Sequence, residues 1–283
     1  MSRTVPHYYV TYLLYSYIIL RSMINDMNVI IPGLPAPPPA KRVWGGWATA
    51  GFGAVIIIGL FLVMVVVVVI LAVAIALFKM DAAFTIEAFT DLINSYMGLL
   101  VSISGIVAYA AAAGLTLAFI KARGGAGIAE YLGLKRINWK TLLTLVLITA
   151  AYLALSTLGS NYIHVEENDT KTLVDIYNTS VWPVLLWIMV VVLAPICEEL
   201  IFRGFLFEGF RRSRLGLIGT IIVTSFIWTG LHAGYGVSSL GAIFIFGLVL
   251  GAVRYKTGSL WGTMAMHAFY NAVGMTLVAL NIG

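Results

Sequence analysis

The residues with the most chemical content lie in Ala194-Pro195-Ile196-Cys197-Glu198-Glu199-Leu200-Ile201-Phe202-Arg203. Two adjacent carboxylates and a guanidinium sit there inside an apolar run that begins near Trp182. At membrane depth each such charge costs about 2.5–3.5 kcal/mol on insertion scales, so it must be paired or functional. Glu199 and Arg203 are one helical turn apart with the acid first, the spacing of an ion pair. Glu198 points about 100° away on the same helix and has no local cation. Its partners must come from other helices.

Three further groups supply the candidates. Trp228 and His232 share a face of one apolar segment, and His267 and Asn271 share a face of another. A lone buried histidine is usually a satisfied core residue. Four polar positions on three helices, beside an uncompensated Glu198, point instead to a site. A carboxylate in a low-dielectric site is a better general base near neutral pH. Glu198 with His232 could hold and deprotonate a water. His267 and Asn271 could donate hydrogen bonds to an oxyanion, each such donor being worth about 10²–10³ in rate. The Glu199–Arg203 pair would fix the helix and the local field. Pro195 removes one helical hydrogen bond and can kink the segment, giving water and substrate an entrance.

The elements that must position these groups are membrane helices. Of the 283 residues, 61% are hydrophobic and 10% charged, with mean hydropathy +0.98. Soluble domains carry roughly 25% charge, so the chain is all-α, a polytopic transmembrane bundle. Seven apolar segments are expected to span, near 47–78, 93–120, 141–158, 182–207, 215–232, 240–253 and 259–280. Residues 7–20 are short for a span and hold five tyrosines. They read as an interfacial helix, with an eighth span as the alternative and Met23 or Met27 as alternative starts. Residues 32–39 form a Pro-rich linker. The organisation is therefore 1–46 as an N-terminal segment and linker, 47–158 as three helices, and 182–280 as a four-helix core.

Charge sets the orientation. Fourteen of the 17 Lys and Arg lie before the first span or in alternate loops, and the opposite loops are acidic. The positive-inside rule places the N-terminus in the cytoplasm and the C-terminus outside, in the plasma membrane. The charge of +5 is thus a topology signal and not a nucleic-acid one. Cys197, the single cysteine, excludes an intrachain disulfide and reads as a small packed hydrophobe. Gly247 with Gly251, and Gly230 with Gly234, are small-xxx-small pairs that suit helix packing.

Glu-Glu-xxx-Arg, then aromatic-xxx-His, then His-xxx-Asn, in that order on late helices, resembles the CAAX-protease and bacteriocin-processing family (CPBP, also called Abi) of intramembrane proteases. The resemblance covers about Trp182 to Gly274 and is strongest at Glu198–Gly204. It implies that Glu198 and His232 activate water, that His267 and Asn271 stabilise the oxyanion, and that Glu199 and Arg203 support them. It also implies cleavage of a membrane-associated protein or peptide near the membrane surface. Trp228 stands where the family usually has Phe, a change expected to affect packing rather than chemistry. The family has been described both as metalloproteases and as glutamate-type proteases. Asn271 favours the second, since asparagine is a poor zinc ligand, and no cofactor is then required. The alternative is a zinc site of Glu198, His232 and His267.

Two other classes compete. A proton-coupled transporter would line a pathway with the same residues, but the paired broken helices and inverted repeat of many transporters are missing. A non-catalytic scaffold or bacteriocin-immunity protein would need no turnover, yet none of the motif residues is absent. One geometric difficulty stands. At about 1.5 Å per residue, Glu198 falls about 22 Å from Pro183 and His232 about 25 Å from Leu215, more than about 10 Å apart in depth if the helices are untilted.

The orientation is testable. In a Cys197→Ala background, cysteine at Ser160 should react with an impermeant thiol reagent from outside, and cysteine at Asn138 should not. The reverse labelling would overturn the assignment.

Overall fold

The computed structural model describes residues 43–79, 85–160 and 167–280, with the side chains of 159–160 and 167–171 outside the description. The expected interfacial helix at 7–20 and the Pro-rich linker at 32–39 lie outside the described residues. The rest is helical, and no strand occurs among the described residues. In chain order the helices are α1 (Gly46–Lys79), α2 (Ile86–Ser95), α3 (Met97–Arg123), α4 (Ile128–Leu132), α5 (Trp139–Ser160) and α6 (Glu167–Asn178). They continue with α7 (Pro183–Phe210), α8 (Gly216–Gly230), α9 (Val237–Thr257) and α10 (Leu260–Ala279).

Each of the seven apolar segments overlaps one of α1, α3, α5, α7, α8, α9 and α10. Five of these, α1, α3, α5, α7 and α9, are long and apolar enough to cross a membrane. The protein is a multi-pass membrane protein. Some helix boundaries depart from expectation. The second segment was expected to start near Ile93, but Ile86–Ser95 forms the separate helix α2. Thr85 caps it, its hydroxyl accepting from the Ala88 N–H at 3.1 Å. That helix is amphipathic and has no buried residue, as a helix on a surface does. The sixth segment, drawn as Leu240–Val253, extends to 21 residues.

Lipid-facing and protein-facing surfaces separate clearly. Helix α1 exposes Val55, Ile58, Leu62, Val65, Val66, Val69 and Ile70 over most of its circumference, as a span bordering lipid should. Helix α7 does the opposite. From Cys197 to Phe210 every residue is buried. Phe202, Phe205, Leu206 and Phe210 meet Ile120 of α3, Leu132 of α4, Leu250 of α9 and Leu260 and Met266 of α10 in one core. The motif helix is therefore the axis of the bundle.

Helix α7 is not a regular α-helix. It widens to π-helix at Ile188–Leu193 and again at Leu200–Leu206, on either side of the α-helical turn Ala194–Glu199. The irregularity attributed in advance to Pro195 thus takes the form of two wide turns that bracket the acid pair. Single wide turns inside α-helices often occur at functional sites.

Small residues allow the close crossings. A Cβ on Gly247 would stand 2.9 Å from Ser225 Cβ, and one on Gly251 would stand 3.0 Å from Ile221, so this pair seats α9 on α8 as expected. Gly230 and Gly234 do not act this way. A Cβ on either would meet nothing within 4 Å; Gly230 is the last residue of α8 and Gly234 lies in the turn after it.

The tightest approach of a glycine to backbone is at Gly98. Its N–H donates to Thr179 Oγ1 at 3.0 Å, tying the start of α3 to the turn between α6 and α7. A Cβ there would stand 2.0 Å from the Ile176 carbonyl oxygen and 2.5 Å from the Ser180 nitrogen, both backbone atoms. Gly98→Ala should therefore cost about 1–3 kcal/mol by overpacking. Gly114→Ala in the same helix meets nothing and serves as the control. Thermal melts in detergent would test this, and equal melting of the two variants would refute it.

Candidate active site

Glu198 and Glu199 follow each other on α7 and meet different surroundings. Glu199 is fully buried, as is Arg203. Arg203 Nη1 donates to Glu199 Oε1 at 3.0 Å, the ion pair expected from the spacing. The other end of the guanidinium donates to the Gly247 carbonyl of α9 at 3.3 Å. Its central carbon also lies 4.5 Å from the centre of the Trp228 ring on α8. Glu199 Oε1 accepts in addition from His267 Nδ1 of α10 at 3.2 Å. One ion pair thus gathers α7, α8, α9 and α10.

Glu198 has partners from other helices, as its lack of a local cation requires. It is 7% exposed. Oε1 accepts from the Tyr109 hydroxyl of α3 at 2.9 Å, and Oε2 accepts from the Trp228 indole N–H at 2.6 Å. His267 Nε2 stands 3.9 Å from Oε2. Tyr109 was not foreseen. Its signal was a tyrosine in mid-span, since tyrosines prefer the membrane interface. The expectation for Trp228 also needs correction. A phenylalanine could not make the indole hydrogen bond, so the departure from the family pattern changes the polar contacts of the acid as well as the packing.

The two histidines adopt one tautomer for different reasons. His232 Nδ1 is 3.0 Å from the Trp228 carbonyl, which can only accept. His267 Nδ1 faces a carboxylate already paired with Arg203, which also can only accept. In both, Nδ1 is the nitrogen that donates.

Among the described residues, the imidazole within 4.0 Å of a Glu198 oxygen is that of His267. Trp228 reaches Glu198, and His232 sits one turn further on, half-buried in the turn after α8. The α8 partner of Glu198 is thus the Trp228 indole rather than His232. The helix brings Trp228 to the level of Glu198, and the indole is the direct link. Asn271 Nδ2 donates to the Val190 carbonyl at 2.8 Å, inside the first wide turn of α7. One of its two N–H groups is thereby committed to backbone. Among the described residues, no three His, Cys, Asp or Glu side chains form a group that could hold a metal ion.

Arg254 was counted among the loop cations, but it is buried in the last turn of α9. Its Nε donates to the Arg203 carbonyl at 2.9 Å, within the second wide turn, and its Nη2 donates to the Leu132 carbonyl at 3.0 Å. It thus joins the segment between α3 and α5 to the motif helix.

The acid pair divides the labour. Breaking a buried ion pair from one side costs roughly 3–5 kcal/mol. Glu199→Ala and Arg203→Ala should each lower stability by that order, and the double variant should recover part of it. Glu198→Ala should leave the pair intact and melt closer to the wild type. Thermal melts of the four purified variants test this, and a Glu198→Ala protein melting far below Glu199→Ala would mean the roles are reversed.

The chain is similar to the UPF0177 protein YajF of Lactococcus lactis, with 29% identity over 130 residues, which is 43% of this chain and 61% of that protein. The match thus spans less than two thirds of that relative's length. No solved structure matches. Residues 180–273 match the family model described as type II CAAX prenyl endopeptidase Rce1-like, and this interval contains Glu198, Glu199, Arg203, Trp228, His232, His267 and Asn271. Over the segment that carries the three motifs, the resemblance to the CAAX-protease family is shown.

Proposed function

We propose that the protein is an intramembrane endopeptidase that hydrolyses a peptide bond of a membrane-associated protein or peptide. The observation that carries this reading is the state of Glu198. It is a nearly buried carboxylate with no cation of its own, held at both oxygens by donors from two other helices and faced by an imidazole. The Rce1-like match over the same residues supports the protease class.

In this reading Glu198 takes a proton from water, and the water oxygen attacks the scissile carbonyl carbon. The C–N bond then breaks, and the proton on Glu198 passes to the leaving amine. His232, at the more open edge of the site, offers Nε2 to the same water. Asn271 has a second N–H for the carbonyl oxygen, and a protonated His267 would add an N–H at Nε2. Glu199 fixes the orientation of His267, and Arg203 fixes Glu199. The seven apolar helices span the plasma membrane with the N-terminus cytoplasmic and the C-terminus external.

No metal is assigned a step. Both Glu198 oxygens already accept hydrogen bonds from a phenol and an indole, an environment suited to a free carboxylate. Peptides and new N-termini should be compared between membranes carrying wild-type protein and Glu198→Gln. Products should form with the wild type and fall by at least about 10²-fold in the variant. Chelation should leave the rate nearly unchanged. Loss of cleavage on chelation with recovery on added zinc would overturn the metal-free mechanism, and identical product sets would overturn the enzyme.

A further inference from the structure

Tyr109 lies outside the 180–273 segment that carries the family likeness, 89 residues before Glu198. It sits near the middle of α3, whose ends are Met97 and Arg123. At about 1.5 Å per residue it is roughly 18 Å from one end and roughly 21 Å from the other. A phenol there has no interfacial water to meet and must find a partner in the protein. The sequence around it provides the approach. Gly105, Ala108 and Ala112 are buried, and a Cβ on Gly105 would stand 2.9 Å from Met189 of α7. The small residues bring α3 close to α7 and place the tyrosine hydroxyl 2.9 Å from Glu198 Oε1.

We propose that Tyr109 is a positioning residue for the hydrolytic reaction, an inference that rests on the endopeptidase reading. The reason is geometric. A single hydrogen bond from Trp228 to Oε2 would leave the carboxylate free to swing about that contact. A second donor on Oε1, delivered from another helix, fixes the carboxylate plane. Trp228 on α8 and Tyr109 on α3 together hold the base in one orientation, with lone pairs left on both oxygens for a water proton. The base is thus set partly by a helix outside the motif-bearing core.

Tyr109→Phe removes the hydroxyl and keeps the ring. Hydrogen bonds to charged groups are the stronger class, so kcat should fall about 10–100-fold. KM should change less than about twofold, because the hydroxyl acts on the base and not on bound substrate. The kinetic probe is a synthetic peptide spanning a cleavage site found by comparing wild type with Glu198→Gln. Unchanged kcat in Tyr109→Phe would overturn the inference, as would a raised KM with kcat intact. The contact itself is read without substrate by melts of wild type, Tyr109→Phe, Glu198→Ala and the double variant. Tyr109→Phe should lower Tm in the wild-type background and not in the Glu198→Ala background, where the hydroxyl has lost its acceptor. Equal shifts in both backgrounds would overturn the contact. Failure of the endopeptidase reading has a separate signature: wild type and Glu198→Gln release the same products, which removes the positioning role whatever the melts show.

Discussion

A guanidinium and a carboxylate, both wholly withdrawn from solvent, organise this bundle. Taking two charges out of water costs several kcal/mol per ion even after relaxation, and the mutual attraction offsets this only when geometry and further hydrogen bonds are good. Arg203 and Glu199 meet that condition in part by recruiting a backbone carbonyl from α9, an indole face from α8 and an imidazole from α10, while Glu199 Oε2 and Arg203 Nε are buried without a hydrogen bond. Moving any of these helices away would leave a buried charge short of partners. The positions of α8, α9 and α10 about α7 therefore follow in good part from one electrostatic requirement. The orientation of His267 follows too, because its Nδ1 is committed to the same carboxylate.

The two wide turns of α7 belong to this arrangement. Wide turns depart from the regular i→i−4 pattern and make backbone carbonyls available to side-chain donors. One side chain reaches into each stretch: Asn271 bonds the Val190 carbonyl in the first, and Arg254 bonds the Arg203 carbonyl in the second. The turn that holds Glu198 and Glu199 lies between the two and is anchored at both ends by other helices. That suits a base whose position must hold to within a fraction of an ångström.

Much of this could be read from the chain. Apolar length reports helices well because lipid leaves backbone groups no other partner, and the seven runs became seven helices. The Glu199–Arg203 pair was legible because both partners lie one turn apart on one helix. What could not be read depends on contacts distant in sequence. The spacing of Glu198 showed that its partners lie elsewhere but could not say which, and Tyr109 and the Trp228 indole supplied them. Arg254 looked like a loop cation because sign and position along the chain say nothing of a carbonyl 51 residues away. Gly230 and Gly234 had the spacing of a packing pair but fall at the end of α8 and in the turn after it, with open space beside both.

The length of α8 has a consequence for the bilayer. In the proposed seven-span topology its 15 residues, about 22 Å long, would face a hydrocarbon core about 30 Å thick. Such a mismatch is met by local thinning of the bilayer or by chain ends that lie beneath the headgroups. Either response draws the aqueous boundary inward at the end of this helix. That end carries the half-buried His232 and, one turn back, the tryptophan that touches Glu198. In that topology the shortest of the seven apolar helices would shorten the distance between bulk water and a carboxylate set deep in the protein.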